Sequence, residues 1–335
     1  MTAMTRPLEK FSADDLLFEL RAREESERGG DEALPDVAES DEDGPELNPE
    51  LESYDTKELS QALRDTQEVI YGVDDRVDIF EVTDAALLED ADCLVALFDA
   101  GDVTDNGDGA STLATSNFGA SRNLCVGEPF RDQPTGAFCS GFLVGPDLVA
   151  TAGHCVDPPN TPAIENMRFV FGFKMVDAGT GPPPIANGEI YSGAQVVGRE
   201  LDQSGSDWAL VRLDRPVTGH RPAPIRRRRR IGSSANVHVI GHPVGLPAKL
   251  AAGASVRDNT PSPFFVANLD TYGGNSGSPV FNSRTHMVEG ILVRGERDFV
   301  SSGSCNLSFV CPTTGCRGED VTRITKLVGL IPPAA

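Results

Sequence analysis

Residues 271–281, TYGGNSGSPVF, place a serine inside a cluster of small residues. Such clusters serve one of two ends. Glycine supplies the φ angles of a tight turn, or it lets backbone N–H groups sit against a reacting atom beside the serine. The second reading makes Ser276 a candidate nucleophile, and a serine nucleophile needs a base.

Five histidines are available: His154, His220, His238, His242 and His286. His154 closes the run CSGFLVGPDLVATAGHC, where an apolar strand ends in Thr-Ala-Gly-His-Cys. An imidazole at a strand end, flanked by small residues, can face a cleft. The other four lie beside proline, inside a strand pattern or in a turn. A bridge between Cys139 and Cys155 would pin this hairpin and immobilise the base. The base in turn needs an orienting carboxylate. In SDWALVRLDRP, Asp207 leads into an apolar strand, a costly position unless it accepts hydrogen bonds such as one from an imidazole N–H.

Outward from these three residues the chain has two textures. Residues 1–68 carry 21 acidic against 7 basic residues, more than half of the net charge of −22. Within them, residues 1–30 can form an amphipathic helix with Phe11, Leu16, Leu17 and Leu20 on one side. Residues 31–56 are acidic, proline-bearing and poor in large apolar side chains, the composition of a disordered linker. From residue 69 short apolar runs (VIYG, CLVALF, MRFVFGF, WALVRL, VHVIG, MVEGILV) alternate with Pro/Gly joints, which predicts an all-β sandwich or barrel. TRITKLVGLI predicts a short terminal helix. DVTDNGDG (102–109) fits a hairpin turn better than a calcium loop, since neither register supplies the full ligand set. The run Arg226–Arg230 is expected to be a solvated loop, with protease sensitivity as the second reading.

The acidity argues against nucleic acid or an anionic membrane as partner, and no apolar run reaches the length of a membrane span. No metal-ligand spacing or cofactor motif is read, so the metal and cofactor expectations are none. The seven cysteines include no zinc-type C-x-x-C pair, and an odd number leaves at least one thiol unpaired within the chain. The N-terminus has no basic region followed by an apolar one. That favours a cytoplasmic location, against the cysteines, which suit a secreted one.

TAGHC, then DWALVRL, then GNSGSP resemble the His, Asp and Ser signatures of chymotrypsin-fold serine proteases, in that family's chain order. The resemblance implies two antiparallel six-stranded β-barrels with the site between them, the first over about residues 69–217 and the second over about 231–335. It assigns Ser276 as nucleophile, His154 as general base then acid, and Asp207 as its orienting carboxylate. The N–H groups of Gly274 and Ser276 become the oxyanion hole, and Cys139–Cys155 the bridge beside the histidine. GNSGSP is not the G-x-S-x-G elbow of esterases. An inactive protease fold used for binding is the alternative function.

A narrower resemblance joins VIYGVDDRVDI (69–79), DTYGGNSGSPVF (270–281) and TRIT (322–325) to the bacterial V8-like, glutamyl endopeptidase branch. It implies that residues 1–68 are a pro-segment cut at Glu68–Val69 by an activating protease, with a protein or peptide as substrate. Asn275 cannot form the ion pair that an aspartate makes before the serine of trypsin-like zymogens. The branch instead places the freed α-amino group, here that of Val69, near the pocket for an acidic P1 side chain. Thr271 matches that branch's pocket threonine. Leu292 stands where its pocket histidine belongs, and Arg294, two residues on, either supplies positive charge to the pocket or pairs with Asp270.

Overall fold

A computed structural model describes residues 70–71 and 74–333, apart from residues 159, 203, 296–297 and 313–315. Before residue 70 it describes Phe11, Glu19, Ala22, Arg23, Pro49, Glu50, Leu51, Tyr54 and Leu59. The expectations for an amphipathic helix over 1–30, an acidic linker over 31–56 and a cut at Glu68–Val69 otherwise lie outside the described residues.

Six strands close the first barrel: β1 (Leu94–Asp99), β2 (Cys139–Gly145), β3 (Leu148–Thr151), β4 (Met167–Val170), β5 (Ile190–Leu201) and β6 (Asp207–Leu213). Every pairing is antiparallel, in the order β1-β2-β3-β6-β5-β4 and back to β1. The second barrel repeats this order with β7 (Asn236–Gly241), β8 (Lys249–Asp258), β9 (Phe264–Ala267), β10 (Pro279–Asn282), β11 (Val288–Arg294) and β12 (Glu319–Arg323). There β7-β8-β9-β12-β11-β10 closes back on β7. Closure leaves neither sheet an open edge, which is how a chain of many short strands avoids unpaired backbone.

Several strands are buried on both faces. β2 and β11 are covered along their whole lengths, so neither shows the alternation of buried and exposed residues that a half-buried strand has. The two longest strands are β5 and β8, and only about half of their residues are apolar. β5 bends through register shifts at Gly193/Gln195 and Val196/Gly198, and β8 at Val256/Asp258. Such bulges add the curvature that barrel closure demands. One apolar core runs through the seam between the barrels, from Leu97, Phe142 and Leu210 to Ile240, Phe281 and Ile291. A second fills the interior of the later barrel around Val239, Phe265 and Val321. Burying side chains of this size contributes roughly 1.5–3 kcal/mol each.

The additions to this frame bear on the site. The segment before β1 crosses to the second barrel: Ile70–Tyr71 pairs in parallel with Val310–Cys311, and Val77–Asp78 pairs with β8. A helix follows, α1 (Ala85–Ala91), capped by the Asp84 side chain on the Ala86 N–H. Residues 103–113 form the hairpin expected there, Val103–Asp105 against Ala110–Leu113. A disulfide joins Cys125 to Cys305, another joins Cys311 to Cys316, and Cys93 is a buried free thiol.

One expectation needs correction and one needs refinement. The terminal helix is a single 3₁₀ turn, Ile324–Lys326. The arginine run is a loop, as expected, with Arg228, Arg229 and Arg230 exposed, but its first two residues are anchored. Arg226 pairs with the buried Glu289, Arg227 donates to the Ile331 and Pro332 carbonyls, and Arg230 reaches the Asn259 and Thr260 carbonyls. The run is a strap that fastens the inter-barrel connection to β11 and to the C-terminal turn.

Candidate active site

The register of the first barrel brings histidine and aspartate together. Thr151, the last residue of β3, faces Ala209 of β6. In an antiparallel pair the residues just beyond Thr151 must then lie beside those just before Ala209. These are Gly153 and His154, in a 3₁₀ turn, and Asp207. His154 Nδ1 is 2.7 Å from Asp207 Oδ2. The other oxygen, Oδ1, accepts from the Gly153 N–H (2.6 Å) and the His154 N–H (3.2 Å).

Two backbone N–H donors therefore converge on one oxygen of a fully buried carboxylate, and such bonds favour the ionised form. An ionised carboxylate only accepts, so Nδ1 must carry the imidazole proton. The lone pair is left on Nε2, which has no hydrogen-bond partner among the described residues. Gly153 is needed for this approach. A Cβ there would lie 2.6 Å from the Glu200 carbonyl oxygen and 3.0 Å from Asp207 Oδ1. Sequence reading missed that requirement, although the glycine stands directly before the histidine.

Ser276 belongs to the second barrel, in the turn between β9 and β10, and is seated against the first. The Ser140 N–H donates to the Ser276 carbonyl (2.9 Å), and Ser140 Oγ donates to the Gly274 carbonyl (3.0 Å). The Cys139–Cys155 disulfide joins the start of β2 to the histidine turn, and Cys155 Sγ lies 3.6 Å from the Ser276 carbonyl oxygen. Gly277 allows the two barrels to meet so closely: its φ is +91°, and a Cβ would overlap the Ser140 carbonyl and Thr151 Oγ1. Ser140 is the stitch that sequence reading overlooked. Its only signal was its place beside Cys139.

The turn also orients two N–H groups. The Gly273 carbonyl accepts from the Val244 N–H. A trans peptide plane holds C=O and N–H in opposite directions, so the Gly274 N–H points away from Val244. The Asn275 carbonyl accepts from the Ser278 N–H (2.8 Å), and this turns the Ser276 N–H away from Ser278 in the same manner. Asn275 is 3% exposed, and its Oδ1 accepts from Ser278 Oγ at 3.4 Å. It is tied into its own turn.

The specificity candidates divide. Thr271 is fully buried, and its Oγ1 has no partner among the described residues. Asp270 beside it accepts from the Tyr71 N–H (2.6 Å) and the Asp75 N–H (3.2 Å). Burial and the neighbouring Asp270 carboxylate push the Asp75 carboxyl up to about 7, and burial raises Asp270 as well. Val69 lies outside the described residues, but Tyr71, two positions on, is bonded to Asp270. Arg294 does not pair with Asp270. Its Nε and one terminal nitrogen lie 3.0 Å from Asp320, and it donates to the Gly205 carbonyl at 3.0 Å. Asp320 sits opposite Arg294 in the β11–β12 ladder, a neighbour that only the register reveals.

Residues 139–291 match the trypsin-like peptidase domain family. In sequence the chain is similar to a glutamyl endopeptidase of Bacillus licheniformis, 26% identical over 207 residues. The match covers 57% of this chain and 57% of that relative, so the chain spans little more than half the relative's length. Among solved structures it is similar to a Glu endopeptidase in complex with MPD, at 17% identity and a TM-score of 0.45, covering 78% of this chain and 97% of that one. It is also similar to an inactive form of Rv3671c from M. tuberculosis H37Rv, at 13% identity and a TM-score of 0.41, covering 78% and 94%.

Proposed function

We propose that this chain, which carries a trypsin-like peptidase domain and is distantly homologous to glutamyl endopeptidase, is a serine endopeptidase. The observation that carries the reading is the Asp207–His154 pair. It fixes the proton on Nδ1 and leaves a basic Nε2 at the junction where the Ser276 turn docks on the first barrel.

Ser276 Oγ attacks the scissile carbonyl while His154 Nε2 takes its proton. The resulting imidazolium is stabilised by the Asp207 carboxylate. The Gly274 and Ser276 N–H groups hold the oxyanion, and each such donor contributes about 3–4 kcal/mol of transition-state stabilisation. His154 then returns its proton to the departing amine, which leaves Ser276 acylated. A water, deprotonated by Nε2, releases the acid by the reverse steps.

In this reading residues 1–68 are a pro-segment preceding a protease domain over 69–335, and an activating protease cuts at Glu68–Val69. The anchoring of Ile70–Tyr71 beside Asp270 supports it, because a terminus freed at Val69 starts two residues from Tyr71. For P1 the reading is an acidic side chain met by the Thr271 hydroxyl and the Val69 ammonium. Arg294 is held by Asp320 and the Gly205 carbonyl through Nε and Nη2. It keeps one buried terminal nitrogen without a partner among the described residues and stays the second candidate for that pocket.

Peptide-library cleavage by wild type and Ser276→Ala tests the assignment. Cleavage after acidic residues that disappears in the variant supports the whole reading. Cleavage after basic residues keeps the mechanism and transfers the pocket to Asp270. No cleavage by processed wild type would leave the alternative, a protease fold used for binding, which the unengaged Nε2 also permits.

A further inference from the structure

Away from this site, three side chains from separate elements converge on one point. Asp90 lies near the end of α1, His238 in the middle of β7, and His286 in the turn joining β10 to β11. Asp90 Oδ2 is 3.0 Å from His238 Nε2 and 2.6 Å from His286 Nδ1. Asp90 and His238 stand 148 positions apart, so no motif spacing announces the set. His238 is 1% exposed and Asp90 6%, while the His286 side chain keeps about a third of its surface in solvent, at 34%. His238 stacks on Phe281 with ring centroids 5.1 Å apart, which fixes its plane.

We propose that Asp90, His238 and His286 bind one divalent transition-metal ion of the zinc type, clasping α1 to the second barrel. The donor set is two imidazoles and a carboxylate. That set suits zinc and its borderline neighbours, whereas magnesium and calcium prefer oxygen alone. The three ligand atoms lie within 4.8 Å of one another. Ligands on a zinc tetrahedron are separated by about 3.3 Å, given bonds of about 2.0–2.1 Å. The His286–Asp90 contact therefore needs to open by less than about 1 Å, at the one side chain that faces solvent. The fourth position falls to water.

The outer shell fits too. Without metal, both imidazoles can turn an N–H toward the carboxylate. With metal, each ring keeps its proton on the opposite nitrogen. His238 Nδ1 then meets Ser283 Oγ at 3.2 Å as acceptor, and His286 Nε2 meets solvent. An imidazole bound to metal through one nitrogen and donating from the other is the usual arrangement for such ligands. Binding then needs a change of tautomer and no net loss of protons.

The test uses the full, untagged chain dialysed against buffered micromolar ZnCl2, with bound zinc counted by elemental analysis. About one ion per chain is expected. His286→Asn should lower the affinity at least tenfold, because an Asn amide can still donate to Asp90 and tolerates the left-handed φ of +54° at this position. His238→Gln should do the same. His154→Ala, which alters a separate buried histidine, should leave the stoichiometry unchanged. Cobalt(II) should give the visible absorption of a four-coordinate ion in wild type and not in His286→Asn. The proposal is overturned by wild type that binds well under one ion. It is equally overturned by zinc retained in both His286→Asn and His238→Gln, or lost on His154→Ala.

Discussion

The behaviour of His154 is set by the single carboxylate beneath it. Asp207→Asn would present an NH2 donor to a shell made of donors, turning the imidazole to its other tautomer and removing the lone pair from Nε2. The variant should keep its fold and lose about 10⁴-fold in kcat, measured on the best library peptide. At Asp75 the consequence is pH dependence. Its carboxyl is raised from 3.8 to about 7, chiefly by burial, so folding favours the protonated form. The stability tied to this group is full below about pH 4 and is lost as pH rises through about 7. Asp75→Asn should therefore flatten the slope of Tm over this range and exceed wild type at pH 8. A wild-type Tm that rises steadily across the same range would contradict the assignment.

Among the elements, the turn from Gly153 to Val156 depends on the bridge between Cys139 and Cys155, whose sulfurs close a loop spanning 16 positions. Replacing both cysteines by serine should cost about 3 kcal/mol by the loop-entropy account, read from denaturant midpoints, and should lower kcat as the histidine turn loosens. This region was also the most legible in the sequence. His154, Asp207 and Ser276 each stand at the end of an apolar run or in a small-residue turn, where local chemistry gives them away. β5 and β8 were not legible, because their bulges break the alternation a reader looks for. The expected Arg294–Asp270 pair failed for a related reason. The partner of Arg294, Asp320, is 26 positions away and is brought opposite only by the β11–β12 register. The anchoring of Arg226 and Arg227 was not legible because their acceptors are backbone carbonyls and one buried glutamate, none of which composition reveals.

At the scale of the molecule, two barrels of the same strand order meet along one apolar seam, and the candidate site is shared between them. His154 and Asp207 come from the first, while Ser276 and Thr271 come from the second. The first barrel also reaches across: the Asp207 N–H donates to Thr322 Oγ1 of β12 at 3.3 Å. Residues 70–71 and 77–78 pair with strands of the second half, which links events at the N-terminal side of the chain to the site. A chain beginning at Val69 should therefore cleave peptides at least tenfold faster than one that retains residues 1–68, and equal rates would remove the pro-segment from the account. The central claim concerns Ser276, and a fluorophosphonate probe tests it most directly, with adducts located by peptide mass spectrometry. The account predicts a single adduct on Ser276 in the processed chain, abolished by His154→Ala. No adduct on Ser276 in a chain that still cleaves peptides would contradict it.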